Sequence, residues 1–156
     1  MTPAVVALQR AKIAHHVLSY DHDPDAASYG AEAAEALGLD PASVFKTLVV
    51  RTDDGRLAVG VVPVTGQLDL KAVAGALGAK KAELADPADA QRATGYVVGG
   101  ISPLGQRKRL PTVVDDSALA LDLMHVSAGR RGLEVALAPS DLVALTAAAT
   151  APIARG

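Results

Sequence analysis

Two apolar runs, residues 45–51 and Leu57–Pro63, flank Asp53-Asp54-Gly55, and no other feature of this chain restricts its fold as strongly. Asp-Gly between β-branched runs is a hairpin signal, because glycine reaches the positive φ of a tight strand reversal. An antiparallel pair is therefore expected near the middle of the chain, with Lys46 at the beginning of its first strand. Half of the residues are hydrophobic but only 3% are aromatic and there is no Trp, so Ala, Val and Leu must fill the core around that pair.

The other segments alternate around the hairpin. Thr2-Pro3 is an N-cap and first-turn pair, and Val5, Val6, Leu8 and Ala11 then recur at helical spacing. Residues 16–20 read as a short strand, followed by the polar, turn-rich Asp21-His22-Asp23-Pro24-Asp25. Residues 31–37 are predicted to be helical and to close at Gly38, and Asp40-Pro41 starts a further short turn. Leu70, Val73, Ala74 and Leu77 mark a helix ending at Gly78, and Asp86-Pro87 opens another that stops before Gly95. Ala82–Leu84, Thr112–Asp115, residues 123–127 and Leu133–Leu137 are predicted strands, the last two joined through Ala128-Gly129-Arg130-Arg131-Gly132. Residues 96–98 are expected to begin as a buried strand that becomes a glycine-rich turn, and a final helix starts near Ser140. Hairpins mixed with crossovers predict an α/β fold over residues 1–156. The expected form is one domain with a mixed, mainly antiparallel sheet or a partly closed barrel, and helices packed outside.

Charge and composition exclude several functions. The chain has no Cys, hence no disulfide, thiolate metal site or cysteine nucleophile. Its four histidines, His15, His16, His22 and His125, lack zinc-site spacing, so no metal and no cofactor are expected. No apolar run approaches a membrane span, and Met1-Thr2-Pro3 opens directly into an amphipathic pattern, which predicts a cytoplasmic protein. A formal charge of -2 argues against a free-standing nucleic-acid binder, since neutralising many phosphates takes a surplus of cations. The basic residues nevertheless cluster at Lys80-Lys81, Arg107-Lys108-Arg109 and Arg130-Arg131, so a local positive face is compatible with the acidic total.

Several short strings carry candidate chemistry. A lysine at a strand edge, Lys46, can hold a phosphate or sugar oxygen as a compact cation, or can simply snorkel into water. In Gly99-Gly100-Ile101-Ser102-Pro103 the two glycines allow backbone N–H groups to turn outward against a developing oxyanion, although an ordinary strand-ending turn has the same composition. Gly100 and Gly105 have the spacing of a phosphate loop, but Pro103 interrupts it and Gln106-Arg107 replaces the Lys-Ser/Thr pair. Ser127, His125 and Asp115 could be written as a triad, yet successive strand residues alternate faces and no nucleophile elbow is present.

Taken in order, Tyr20-Asp21-His22-Asp23-Pro24, Phe45-Lys46-Thr47-Leu48, Gly66-Gln67-Leu68-Asp69-Leu70-Lys71, Gly95-Tyr96 and Gly99-Gly100-Ile101-Ser102-Pro103-Leu104-Gly105-Gln106 resemble the successive signatures of the YbaK family of trans-editing deacylases. The similarity extends over nearly the whole chain. It implies the fold of the editing domain inserted in bacterial prolyl-tRNA synthetases, a pocket for the aminoacylated 3′ end of tRNA, and prolyl-tRNA synthetase as a partner. It also implies that Lys46 is needed for activity and that the loop from Gly99 to Pro103 lies against the substrate carbonyl and amino-acid moiety. Tyr20 would stack on or hydrogen-bond the terminal nucleotide, while Phe45 packs in the core and shapes the pocket. Ser127 and Glu134 are further candidates near the last hairpin. Glu134 aligns with an acid that the family usually carries as the shorter Asp. The family reaction uses the thiol of a wrongly attached cysteine, which attacks its own ester. A water-using deacylase of another aminoacyl-tRNA, or a non-catalytic binding module, are the alternatives that the same residues permit.

Overall fold

The computed structural model describes residues 1–25 and 29–156. Thr2 accepts a hydrogen bond from the Val5 amide and starts α1 (Pro3–Arg10), whose Ala4, Val5 and Leu8 are buried. The strand β1 (His15–Ser19) follows, then α2 (Tyr29–Leu37); Asp40 caps a 3-10 turn at Pro41–Ser43. The predicted hairpin is β2 (Phe45–Thr52) and β3 (Leu57–Pro63), paired antiparallel from Phe45 opposite Pro63 to Arg51 opposite Leu57. After a short β4 (Gln67–Leu68), Asp69 caps α3 (Leu70–Ala76), and β5 (Ala82–Leu84) returns to pair with the far end of β2. Asp86 caps α4 (Pro87–Thr94), which ends at the left-handed Gly95. The remaining elements are β6 (Thr112–Asp115), β7 (Met124–Arg130), β8 (Leu133–Leu137), α5 (Pro139–Thr146), β9 (Ala149–Ala151) and β10 (Ala154–Arg155).

These strands form a five-stranded sheet in the order β5-β2-β3-β6-β9, a three-stranded sheet β1-β8-β7 and a ribbon β10-β4. The β3-β6 and β6-β9 pairs are parallel and the rest antiparallel, so the fold is α/β with mixed sheets. Of the two predicted forms the mixed sheet is the one adopted. The barrel does not close, because β5 and β9 are left as edges and, among the described residues, backbone pairing between the two larger sheets is limited to an isolated bridge from Val44 to His125.

Both faces of the five-stranded sheet are covered, which explains why β3 is buried along almost its whole length. Strand alternation sends Val59 and Val61 into a core shared with α1, α5 and the three-stranded sheet, and Ala58 and Val62 into a second core with Val73 of α3 and Ile153. Small aliphatic side chains fill both cores, as the composition requires; Phe45 and Tyr96 are the aromatic residues in the first.

One predicted strand is absent. Residues 96–98 do not pair; Val97 and Val98 are 65% and 38% exposed, and the Gly100 amide donates back to the Val97 carbonyl at 2.9 Å. That turn consumes the backbone groups a strand would have offered. Among the described residues no helix is long and apolar enough to cross a membrane.

Candidate functional site

A cavity of about 410 Å³ opens where the start of β2 meets the loop after α4 and the β7-β8 hairpin. Residues 45–49 of β2 form its floor, Leu84, Ala85, Pro87 and Ala90 one wall, and Val98, Gly99 and Ile101 another. Tyr20, Gly30, Ser127, Arg130, Arg131 and Glu134 complete it. The lining is mostly apolar, with a few polar groups placed among aliphatic ones, which is the usual make-up of a small-ligand site.

Each polar group is positioned by its strand. Lys46 is partly buried and forms no ion pair with any described residue. Phe45 and Val49 enter the first core while Leu48 and Val50 belong to the second, so Lys46 leaves β2 on the face opposite Phe45, as alternation predicts. Tyr20 is held by its amide, which donates to the Gly132 carbonyl at 3.0 Å, and partial burial raises its phenol pKa, helped by Glu134 and Glu32 nearby. Ser127 donates to the Gly100 carbonyl at 3.0 Å and accepts from the Gly129 amide at 3.1 Å.

Glu134 lies opposite Ser127 on β8 and is 7% exposed; one carboxyl oxygen, Oε2, has no hydrogen-bond partner among the described residues. Burial alone pushes its pKa up to about 8, so the folded protein carries it uncharged at neutral pH. Thr47 also has a buried oxygen with no hydrogen-bond partner among the described residues, and it lines the same cavity. Two buried polar atoms left unpaired in one hollow are costly unless a ligand or water meets them.

The glycine loop is held from several sides. Arg131 donates to the Val98 carbonyl at 2.8 Å, Tyr96 donates its buried hydroxyl to the Leu104 carbonyl at 2.7 Å, and Gln106 donates to the Ser102 carbonyl at 3.0 Å. Only part of this motif reaches the cavity. Gly99, at φ +93, and Ile101 line it, whereas Ser102 is fully buried and accepts from the Leu104 amide, and Pro103 lines a separate small hollow beside Leu145.

Gly100 has a packing role that its sequence context did not disclose. A Cβ there would lie 2.8 Å from the Arg130 Cα and 3.0 Å from the Arg131 nitrogen, so the loop can press against the β7-β8 hairpin only because this side chain is absent. Gly100→Ala is therefore expected to destabilise the protein by about 1–3 kcal/mol, as overpacking does. A urea titration measures this; an unchanged midpoint would show that the loop can lift off the hairpin without cost.

The cavity thus brings together Tyr20, Phe45, Lys46, Gly99, Ile101, Ser127 and Glu134, and leaves out Gly100, Ser102 and Pro103. Sequence reasoning missed Thr47, Leu84, Val98 and Arg130 as lining residues. Thr47 could have been found as the one hydroxyl inside the apolar run of β2. The paper triad does not assemble. Ser127 is bound to the loop, His125 Nδ1 lies 3.2 Å from the Ser43 hydroxyl with its pKa lowered by burial, and Asp115 accepts from the Ile153 and Ala154 amides. No group of three or more potential metal ligands occurs among the described residues, and His22 instead meets Glu32 at 2.8 Å.

Comparison with known proteins agrees with this architecture. Residues 23–145 match the model of the aminoacyl-tRNA editing domain. EbsC of Enterococcus faecalis, named as a Cys-tRNA(Pro)/Cys-tRNA(Cys) deacylase, is 41% identical over 113 residues, covering 72% of this chain and 69% of that protein. A proline–tRNA ligase of Shouchella clausii is 32% identical over 119 residues, which are 76% of this chain and only 20% of the ligase. A crystal structure assigned as a trans-editing enzyme for prolyl-tRNA synthetase superposes with a TM-score of 0.83 at 25% identity, covering 99% of this chain and 96% of that one. The fold is that of an editing domain. The chain belongs to the aminoacyl-tRNA editing domain family.

Proposed function

We propose that this chain, as one editing domain over residues 1–156, removes cysteine from mischarged Cys-tRNA(Pro) in the cytoplasm, with prolyl-tRNA synthetase as its partner. The carrying observation is a cavity lined by a lysine without an ion pair and a buried carboxyl, in which no hydroxyl is hydrogen-bonded to a base among the described residues. Ser127, the hydroxyl best placed to look like a nucleophile, spends its proton on the Gly100 carbonyl. A reaction in which the substrate supplies the attacking atom fits such a site, and the name of EbsC supports cysteine as the amino acid.

The thiol sulfur forms a bond to the carbonyl carbon of its own ester, the carbon–oxygen bond to the terminal ribose breaks, and the ribose oxygen takes the proton that the thiol gives up. The products are tRNA and a four-membered thiolactone of sulfur, Cβ, Cα and the carbonyl carbon, which water later opens to cysteine. Such a ring is strained, so the protein's contribution is to hold the ester in the folded-back geometry that free rotation rarely samples. Lys46 would anchor the terminal nucleotide through a phosphate or sugar oxygen and raise the thiolate fraction of a thiol whose ordinary pKa is about 8.5. Gly99 and Ile101 would face the carbonyl and the amino-acid moiety, Tyr20 the terminal nucleotide, and Ser127 and Glu134 the polar end of the ester.

A panel of tRNAs carrying cysteine, homocysteine, serine or alanine tests this reading. Release of the two sulfur amino acids should exceed that of serine and alanine by about a hundredfold or more, the discrimination of a site whose excluded substrates lack the attacking group. Equal release of alanine and cysteine would favour water as the attacker, with Glu134 as its base; that route should strengthen as pH passes about 8, where the carboxyl ionises.

A further inference from the structure

The motif Gly66-Gln67-Leu68-Asp69-Leu70-Lys71 is only partly explained by the fold. Leu68 is buried and Asp69 caps α3, but the Gln67 side chain is exposed and makes no hydrogen bond with any described residue. It lines a cleft of about 490 Å³ together with Lys46, Val64, Thr65, Gly66 and Arg155, with Gly156 contributing backbone. The β4-β10 ribbon sets Arg155 directly opposite Gln67, so their side chains share a face. Lys46 lines both this cleft and the larger cavity, so the two hollows adjoin at this residue.

The charges in this cleft are uncommitted. Neither Lys46 nor Arg155 is ion-paired with a described residue, and no acidic side chain occurs among the described lining residues. A second basic hollow, beside Arg51, Arg56, Arg92 and Lys108, differs on this point: Arg51 and Arg92 are both bound to Asp89 at 2.9 and 2.6 Å, and Arg56 to Asp54 at 2.8 Å. An anion entering that hollow would compete with carboxylates already in place. An anion entering the cleft at Lys46 would meet no side-chain carboxylate of a described lining residue.

We propose that the cleft between Lys46 and Arg155 is the track for the RNA strand that leads into the cavity, taking the phosphates of the nucleotides just before the esterified terminal adenosine. The proposal rests on the reading of the cavity as the site of an aminoacyl-tRNA ester. Lys46 then holds the phosphate nearest the ester, Arg155 the next one along, and Gln67 and Thr65 supply neutral hydrogen bonds to ribose or phosphate oxygens. Two or three such contacts give weak, salt-dependent binding, as expected of a chain whose overall charge is negative.

The test compares Arg155→Glu with the parent on cysteinyl-tRNA and on adenosine bearing the same cysteinyl ester, which has no phosphate for the cleft to hold. Arg155 is exposed, and Arg10→Glu on α1 serves as a control with the same change of net charge. For Arg155→Glu the kcat/KM on cysteinyl-tRNA should fall about five- to tenfold at low salt, mainly through KM, and the slope of log KM against log salt should shrink by about 0.7 for the phosphate lost. The adenosine ester should be cleaved as by the parent, Arg10→Glu should match the parent on both substrates, and Arg155→Lys should recover most of the loss. Equal losses on both substrates, or an unchanged salt slope on tRNA, would overturn the proposal. So would unchanged binding of uncharged tRNA accompanied by weaker association with prolyl-tRNA synthetase, which would make the cleft a protein-docking face. If the parent cleaves neither ester, the reading of the cavity fails instead; the salt slope for uncharged tRNA binding by parent and Arg155→Glu then decides the cleft without any turnover.

Discussion

Lys46→Ala should lower kcat/KM for deacylation of cysteinyl-tRNA by about 10²- to 10³-fold, the loss that follows removal of one preorganised charged group from a reacting site. Its thermal midpoint should stay with the parent's, because Lys46 has no ion pair with a described residue to lose and a change at such a partly exposed position usually costs under about 0.5 kcal/mol. The combination of dead and folded is the diagnostic result. A loss under about threefold would remove Lys46 from the site, whatever the shape of the cavity, since so small a change corresponds to less than about 1 kcal/mol of transition-state stabilisation. Lys46→Arg separates charge from fit: the guanidinium keeps the cation but is a broad planar fork rather than a compact ammonium, so recovery should be partial.

Glu134→Gln should stabilise the protein, and increasingly so as the solution becomes alkaline. The folded chain holds a proton on Glu134 up to about pH 8, whereas the unfolded chain gives it up near the ordinary 4.5. Between those two values the folded state binds more protons, so this residue's contribution falls as pH rises, and above about 8 the whole cost of burying the charge is present. The gap corresponds to at most about 5 kcal/mol, and each kcal/mol moves the thermal midpoint of a chain this size by about 3 °C. Melting curves at pH 5, 7 and 9 should converge for the two proteins at the acid end and separate progressively toward pH 9. Parallel curves would mean that water reaches the carboxyl and that it ionises like any other. Deacylation by the variant bears on mechanism: thiol attack needs no base at this position and should survive, while a water route through Glu134 should collapse.

Much of the architecture was legible because its signals are local. Asp53-Asp54-Gly55 specifies the β2-β3 reversal, and Asp86-Pro87 with Gly95 brackets α4, each through backbone conformations that few residues adopt. Elements without such marks escaped. β4, β9 and β10 are two or three residues long, and it is their partners in β6 and in each other, far away in sequence, that make them strands. Val97 and Val98 look like a buried strand by composition. Instead the turn at Gly100 and the Arg131 guanidinium take their carbonyls, leaving the side chains at the surface.

The candidate site divides in the same way. Lys46, Phe45 and Tyr20 fall in the cavity where strand ends were expected to bring them, Ser127 was a candidate by its place near the last hairpin, and the resemblance to a known family pointed to Glu134. Neither route distinguished the residues of the glycine motif that face the cavity from those that hold the loop. Gly99 and Ile101 point one way and Ser102 and Pro103 the other, a division set by hydrogen bonds to Leu104 and Gln106 that only the folded chain reveals. Thr47 passed unnoticed because a hydroxyl in an apolar strand reads as core until its lack of a partner is seen.

The ribbon of β4 and β10 separates the fate of the two hollows. The described lining of the cavity falls within residues 20 to 134, whereas residues 149–155 add β9 to the sheet edge and lay Arg155 beside Gln67. Local opening of that short terminal segment would carry one cation away from the groove and leave the walls of the cavity standing.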